Sequence, residues 1–248
     1  METAIVQTVQ MKINYFVHFK TSIMRKPFFL AFFCFLLTLS SFGQKRSFIK
    51  DKIREWDECK NVAITMRGGS VVLKGKNSWA ASGAPKAMTD RLSVLNEMNV
   101  LIDDIVLTEN GKWLILWGNN GIHSYGCPLS LDKKIRQWNS DKEVIYSISF
   151  NDKGQWIMIS KNKVAASSAD ILEWIQQGES EYGKVWAAHI TNTGRAVVYS
   201  NGYKFMGEVP NNLLDKLKST NLNVFRLKFL QDGSYFISDL EGKFQCYF

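Results

Sequence analysis

Long apolar runs, basic clusters, cysteine motifs and catalytic signatures are all scarce in this 248-residue chain, and each scarcity excludes something. The one unbroken apolar run is Phe28 to Leu37. That is about half the ~20 residues a helix needs to cross a bilayer, so a membrane span is not expected. Lys and Arg are dispersed, with no run interleaved with aromatics, and nucleic acid is a poor partner. Cysteine is sparse and no CxxC occurs; Cys59, Cys127 and Cys246 lack the spacing of a zinc site. Only His123 and His189 lie beyond residue 43, and no GxSxG, HExxH or phosphate-binding loop is present. Neither a cofactor nor a metal is implied.

What is present begins with an address. From Met24 the chain reads MRKPFFLAFFCFLLTLSSFGQ: a positive start at Arg25 and Lys26, an apolar middle, and small residues at Ser41 and Gly43. This three-part pattern marks residues 1–43 as a secretory signal, with Met24 as the expected true start. Phe33 before Cys34 does not suit a lipid-modified cysteine. The ending SSFGQ resembles export signals of the Bacteroidota. Residues 1–43 hold four of the 31 basic and one of the 23 acidic side chains, which leaves a net charge of +5 on residues 44–248. Export implies a periplasmic or secreted protein, in an oxidising compartment where cysteines can pair.

Residues 44–248 read as one domain of repeats. Glycine recurs in polar turns at 111, 154, 194 and 233, spaced 43, 40 and 39 residues apart. A period of this size means a repeat architecture. Nine residues before each glycine stand Ile102, Ile145, Val185 and Val224. Ile105, Ile148, Ala188 and Leu227 follow, then Leu107, Phe150, Ile190 and Phe229. Apolar residues two apart leading into a turn describe half-buried strands. The runs WLILW, WIMIS, AVVYS and YFISD supply second strands, and a third strand closes each triplet. An earlier copy, VAITMRGGSVVLKGKNSWAASG, places Gly69 at the turn with about three residues missing from its first strand. The triplets fall at about 62–84, 102–126, 145–169, 185–207 and 224–248.

Helices lie between the triplets. Met88/Leu92/Leu95, Leu131/Ile135/Trp138, Ile171/Ile175/Gly178 and Pro210/Leu214/Leu217 have the i, i+4, i+7 spacing of one helical face. Pro85, Pro128 and Pro210 sit at helix starts, where proline is tolerated. The same columns give Ile49/Ile53/Trp56 in a leading helix over 48–60, whereas no helix follows the last strand. In a closed ring the leading helix completes the last unit; in an open βββα solenoid it caps the stack.

The period and strand pattern resemble those of β-propellers. That resemblance implies a mainly β fold with repeated helices: a closed five-bladed ring of three-stranded units, each with a helix in place of the usual fourth strand. Neither the GH…WD signature nor another named blade motif is present, so no functional residues carry over.

One residue after each strand start stand Asp103, Tyr146, Trp186 and Phe225, with Ile64 in the first copy. In a ring these positions circle the axis and form an aromatic rim suited to sugars or peptides; alternatively the rings pack as second-layer core. Trp117 shares its column with Ser160, Ser200 and Asp239, and is either an exposed contact or a local filler. Trp56, Trp113, Trp138 and Trp156 fall in core columns. His189 aligns with Val106, Ser149 and Lys228 on the polar side of its strand. Cys59 and Cys246 meet in one unit if the ring closes, where a disulfide could staple the seam. Asp103-Asp104 is the one acidic pair at a strand start. The functional expectation is a non-catalytic binding module for a glycan, a peptide or an envelope protein. The alternatives are a glycoside hydrolase-like enzyme with a channel site, which needs two carboxylates across a bond, and a structural envelope protein.

Overall fold

A glycine in the left-handed region makes the first turn of four of the five units. Gly68, Gly111, Gly154 and Gly233 have φ of 84°, 76°, 80° and 91°, and each donates its N–H to the carbonyl three residues earlier. This backbone suits glycine because no Cβ meets the following carbonyl. The computed structural model describes residues 47–248; the segment 1–43 read as a secretory signal lies outside the described residues. The description begins with helix α1 (47–56). The first unit holds β1 (Asn61–Ile64), β2 (Ser70–Lys74), β3 (Ser78–Ser82) and α2 (Lys86–Glu97). The second holds β4 (Ile102–Leu107), β5 (Trp113–Trp117), β6 (Gly121–Tyr125) and α3 (Leu129–Ser140). The third holds β7 (Ile145–Phe150), β8 (Trp156–Ser160), β9 (Val164–Ala166) and α4 (Ala169–Tyr182). The fourth holds β10 (Val185–Ile190), β11 (Gly194–Tyr199), β12 (Gly202–Gly207) and α5 (Asn211–Ser219). The fifth holds β13 (Arg226–Phe229), β14 (Tyr235–Ser238) and β15 (Phe244–Tyr247). Each triplet is a separate antiparallel sheet with its strands in chain order.

The turn geometry corrects two sequence alignments. Gly68, not Gly69, is the turn glycine of the first unit, so Cys59, Val62 and Ile64 occupy the columns of Ile102, Ile105 and Leu107 and no residues are missing. Lys60, not Ile64, is then the counterpart of Asp103. The fourth unit has a turn one residue shorter: Thr191 pairs with Gly194. Tyr199, rather than Ser200, therefore aligns with Trp117, and both partner the first residue of a bulged opening strand, Val185 and Ile102. The leading helix stops at 56, because Asp57 takes φ 50° and turns the chain toward β1. In α5 the buried residue is Leu213. Helices α2 and α3 are followed by the left-handed residues Asn99 and Lys142, whereas α5 exits through an extended Thr220, and Leu217 of its expected face packs beside Leu213.

Packing repeats with the sequence. Met88, Leu92 and Leu95 of α2 wedge between the first sheet (Val71, Leu73) and the second (Ile105, Ile115). Leu131, Ile135 and Trp138 do the same between the second and third sheets, and Ile171 and Ile175 between the third and fourth. Leu213 joins the fourth and fifth. A fifth cluster is built in the same way: Ile49 and Ile53 of α1 pack with Phe236, Phe244 and Cys246 of the last sheet, with Phe248 just after it, and with Val62 and Val72 of the first sheet. The first strands touch in the same order, β1 with β4, β4 with β7, β7 with β10, β10 with β13, and β13 with β1. Hydrogen bonds also join the fifth unit to the first: Cys59 N–H donates to Gly242 O at 2.9 Å and Ser238 Oγ to Lys60 O at 2.9 Å. Cys59 and Cys246 are free thiols within that cluster. No helix among the described residues is long and apolar enough to cross a membrane.

Ile53 is fully buried in the cluster that joins the two ends. We expect Ile53→Ala to lower stability by about 2–4 kcal/mol, measured by denaturant unfolding. An exposed substitution on the same helix, Arg54→Ala, is expected to change it little.

Candidate functional site

At the start end of the five first strands, equivalent positions bring Lys60, Asp103, Tyr146, Trp186 and Phe225 together, all of them half-buried. Beneath them lies Arg226, 4% exposed. Its Nη2 donates to the carbonyls of Asp103 at 3.2 Å and Tyr146 at 2.8 Å, and its guanidinium carbon lies 4.6 Å from the centre of the Phe225 ring. The Phe225 and Trp186 rings are in contact at 5.9 Å, and Lys184 Nζ lies 5.9 Å from the Tyr146 ring centre. Lys60 Nζ donates to Ile102 O at 3.0 Å. Among the described residues, Asp103 Oδ2 and Arg226 Nε and Nη1 are buried polar atoms without a partner. The rim is thus aromatic and basic, with a single carboxylate.

One residue deeper sits Asp104, fully buried. Its Oδ1 accepts from Asn61 Nδ2 at 2.7 Å, from Ile105 N–H at 2.9 Å and from Lys228 Nζ at 3.5 Å. Its Oδ2 accepts from Ile148 N–H at 2.9 Å. One carboxylate thereby contacts the first, second, third and fifth units. Burial alone would raise its pKa, but Lys228, Arg226 and these donors outweigh burial and hold it below the usual carboxylate range. Asp103 behaves oppositely: burial pushes its carboxyl up to about 6, against the pull of Lys60 and Arg226. Burial also lowers Lys60, Arg226 and Lys228; both aspartates oppose the shift at Lys60 and Arg226, and Asp104 alone at Lys228.

The turn end of the same strands holds a cavity of about 60 Å³ to which all five units contribute. Its floor includes Ser149, His189 and Lys228, and its rim includes Glu109, Asp152 and Gln231. The rim carboxylates are engaged in neighbouring turns. Glu109 accepts from Met66 N–H at 2.7 Å, and Asp152 from Thr108 Oγ1 at 2.6 Å.

The remaining sequence candidates fall elsewhere. Trp117 is half-buried, packs against the α2 cluster, stacks on His123 with centroids 5.7 Å apart and covers Gly121. Its equivalent Tyr199 is likewise a packing residue, its hydroxyl donating to Ile175 O at 3.0 Å. Trp117 therefore fills its own unit and does not join the rim. Lys60, Arg226 and Lys228 escape a search for catalytic motifs, and the detectable signal was a cationic pair two residues apart in a strand, at columns that are uncharged in three of the other four units. No group of three metal-ligating side chains occurs among the described residues.

No protein-family model and no curated protein matches the chain. Among solved structures, it is similar to the crystal structure of the C-terminal domain of gp131 from bacteriophage phiKZ. The TM-score is 0.36 at 11% identity, over 70% of this chain and 57% of that one. A likeness this distant assigns no function.

Two predictions follow from the charges. Asp104→Ala leaves Lys228 as an uncompensated buried cation and is expected to cost about 3–5 kcal/mol; Asp104→Asn with Lys228→Met recovers most of the loss. Asp103 has a folded pKa above its ordinary value of 3.8, so the folded state binds more protons and stability falls as pH rises from about 4 to 6. After solvent screening the cost above pH 6 is on the order of 1 kcal/mol. His189, held neutral by burial with its pKa down to about 3, has the opposite sign over an overlapping range. The difference between the parent and Asp103→Asn unfolding curves isolates Asp103: the variant gains stability above pH 6 and little at pH 4.

Proposed function

We propose that this is an exported, non-catalytic binding module whose five units close into a propeller-like ring, and that it takes a glycan at the aromatic end of its first strands. The observation that carries the reading is the rim itself. Tyr146, Trp186 and Phe225 occupy equivalent positions around one buried guanidinium, remain half-exposed, and two of the rings touch. Aromatic faces stack on the apolar faces of sugars over a large area at small entropic cost. A polar edge that reaches the floor meets two donors of Arg226 and one acceptor of Asp103. Ring closure is supported by the fifth cluster, in which α1 stands between the last sheet and the first as α2 stands between the first and second. Export is supported by the leader pattern.

At the aromatic end the hydrolase reading is disfavoured by the carboxylates. Asp104 is sealed in its contact with Lys228, and Asp103 stands next to it on the same strand rather than across a bond. Glycoside hydrolysis by paired carboxylates needs two of them flanking the scissile linkage.

A screen of the purified protein against glycans and peptidoglycan fragments tests this reading. Trp186→Ala is expected to weaken the best binder at least about tenfold, with unfolding unchanged. A best binder that is a peptide free of sugar, or binding indifferent to Trp186, overturns it.

A further inference from the structure

The cavity at the opposite, turn end of the first strands carries chemistry that the aromatic rim does not use. His189 Nε2 lies 2.9 Å from Phe229 O. A carbonyl oxygen only accepts, so this nitrogen carries the proton and Nδ1 is left as an acceptor. Nδ1 is buried and has no partner among the described residues. The ring is held edge-on to Phe229, centroids 5.1 Å apart, so it cannot turn to find a partner without losing both contacts. Lys228 lines the same cavity, 4% exposed. Its ammonium has three donors, and Asp104 takes one of them at 3.5 Å. The residues lining this cavity therefore include one unfilled acceptor and a cation with spare donors. Unfilled buried groups of this kind are costly to leave unpaired.

Few chemical groups satisfy both. A carboxylate would accept from Lys228 but would turn a lone pair toward the lone pair of His189, and burial beside Lys228 opposes protonation of that ring. An ammonium would donate to His189 and be repelled by Lys228. A neutral hydroxyl donates to one and accepts from the other. The cavity, about 60 Å³, holds on the order of four waters, which suits the edge of a sugar or polyol and not a whole buried ring. The rim supplies further hydroxyl partners: Gln231 Nε2 already bonds Thr191 Oγ1 at 2.8 Å and Thr193 Oγ1 at 2.7 Å, and the Glu109 and Asp152 carboxylates stand beside it.

We infer that the turn-end cavity is a second binding site, for a neutral polyhydroxylated ligand, with one hydroxyl seated between His189 Nδ1 and Lys228 Nζ. The site lies at the other end of the strands from Trp186 and does not depend on the rim. Glucose and xylitol serve as probes, titrated into the ¹⁵N-histidine-labelled protein while the His189 ring nitrogens are followed by NMR. Saturable movement of the Nδ1 resonance is expected with both probes, and little with acetate, whose carboxylate does not suit the floor and which has no hydroxyl to offer. His189→Phe, which keeps an aromatic ring against Phe229, is expected to weaken binding about tenfold, whereas Trp186→Ala leaves it unchanged. The parent protein's own resonance keeps the test decisive should the variant fold poorly. A His189 signal indifferent to both probes means that water alone fills the cavity and overturns the inference, as does binding that Trp186→Ala abolishes while His189 stays silent.

Discussion

Burying a carboxylate as completely as Asp104 is buried costs several kcal/mol unless its lone pairs are filled and its charge is met. Here four donors fill them, and they come from Asn61, Ile105, Ile148 and Lys228. These residues lie on the first strands of four different units, Lys228 being 124 positions from Asp104 in sequence. The carboxylate is therefore stable only where those strands converge, and the strands converge in one register only where the carboxylate is satisfied. Apolar clusters alone would hold neighbouring sheets together pairwise. They would not fix how far each first strand slides along the others, because hydrophobic contact is not directional. The Asp104 network supplies that direction, and with it the height at which the rim residues sit.

Both candidate sites inherit their geometry from this register. One residue before Asp104 along the strand lies the aromatic rim; two residues beyond it, at Val106, begins the column of His189 and Lys228. The rim is held by backbone carbonyls pinned to Arg226, and the cavity floor by an ammonium pinned to Asp104. The two ends are consequently rigid but electrically unlike, one aromatic with a raised carboxyl, the other polar with a neutral imidazole. Lys228 links them, since the ammonium that neutralises Asp104 also lines the far cavity.

Much of the scaffold was legible in the sequence, because it is written in local periodicities. Turn glycines, two-residue alternation and i, i+4, i+7 faces located five sheets and the helices between them. Errors arose where one residue shifted a column. Two adjacent glycines, 68 and 69, made the first unit look truncated, and only the left-handed backbone at Gly68 tells them apart. The shortened turn at Thr191 hid the kinship of Trp117 and Tyr199, which would have marked Trp117 as packing. The aromatic residues of the rim were visible as a column. The charged floor beneath them was not, since Asp104, Arg226 and Lys228 are far apart in sequence and each, taken alone, reads as an ordinary strand polar residue.

The pattern of divergence among the units has a physical reason. Columns that face the helices stay apolar in every unit: Cys59, Ile102, Ile145, Val185 and Val224, and likewise Val62, Ile105, Ile148, Ala188 and Leu227. The columns that meet at the centre differ in every unit: Asn61, Asp104, Ser147, Ala187 and Arg226, then Ala63, Val106, Ser149, His189 and Lys228. Helix-facing positions repeat because each sees the same local environment. Central positions see one another, and five copies of one charged residue there would place like charges together in a medium that screens them poorly. Five copies of one small residue would leave nothing to fix the register. Breaking the repeat at those columns, with one acid between two cations and small residues around them, avoids five like charges and leaves a remainder of unfilled hydrogen-bonding groups. That remainder, Arg226 at one end and His189 at the other, is where a repetitive scaffold acquires chemistry of its own.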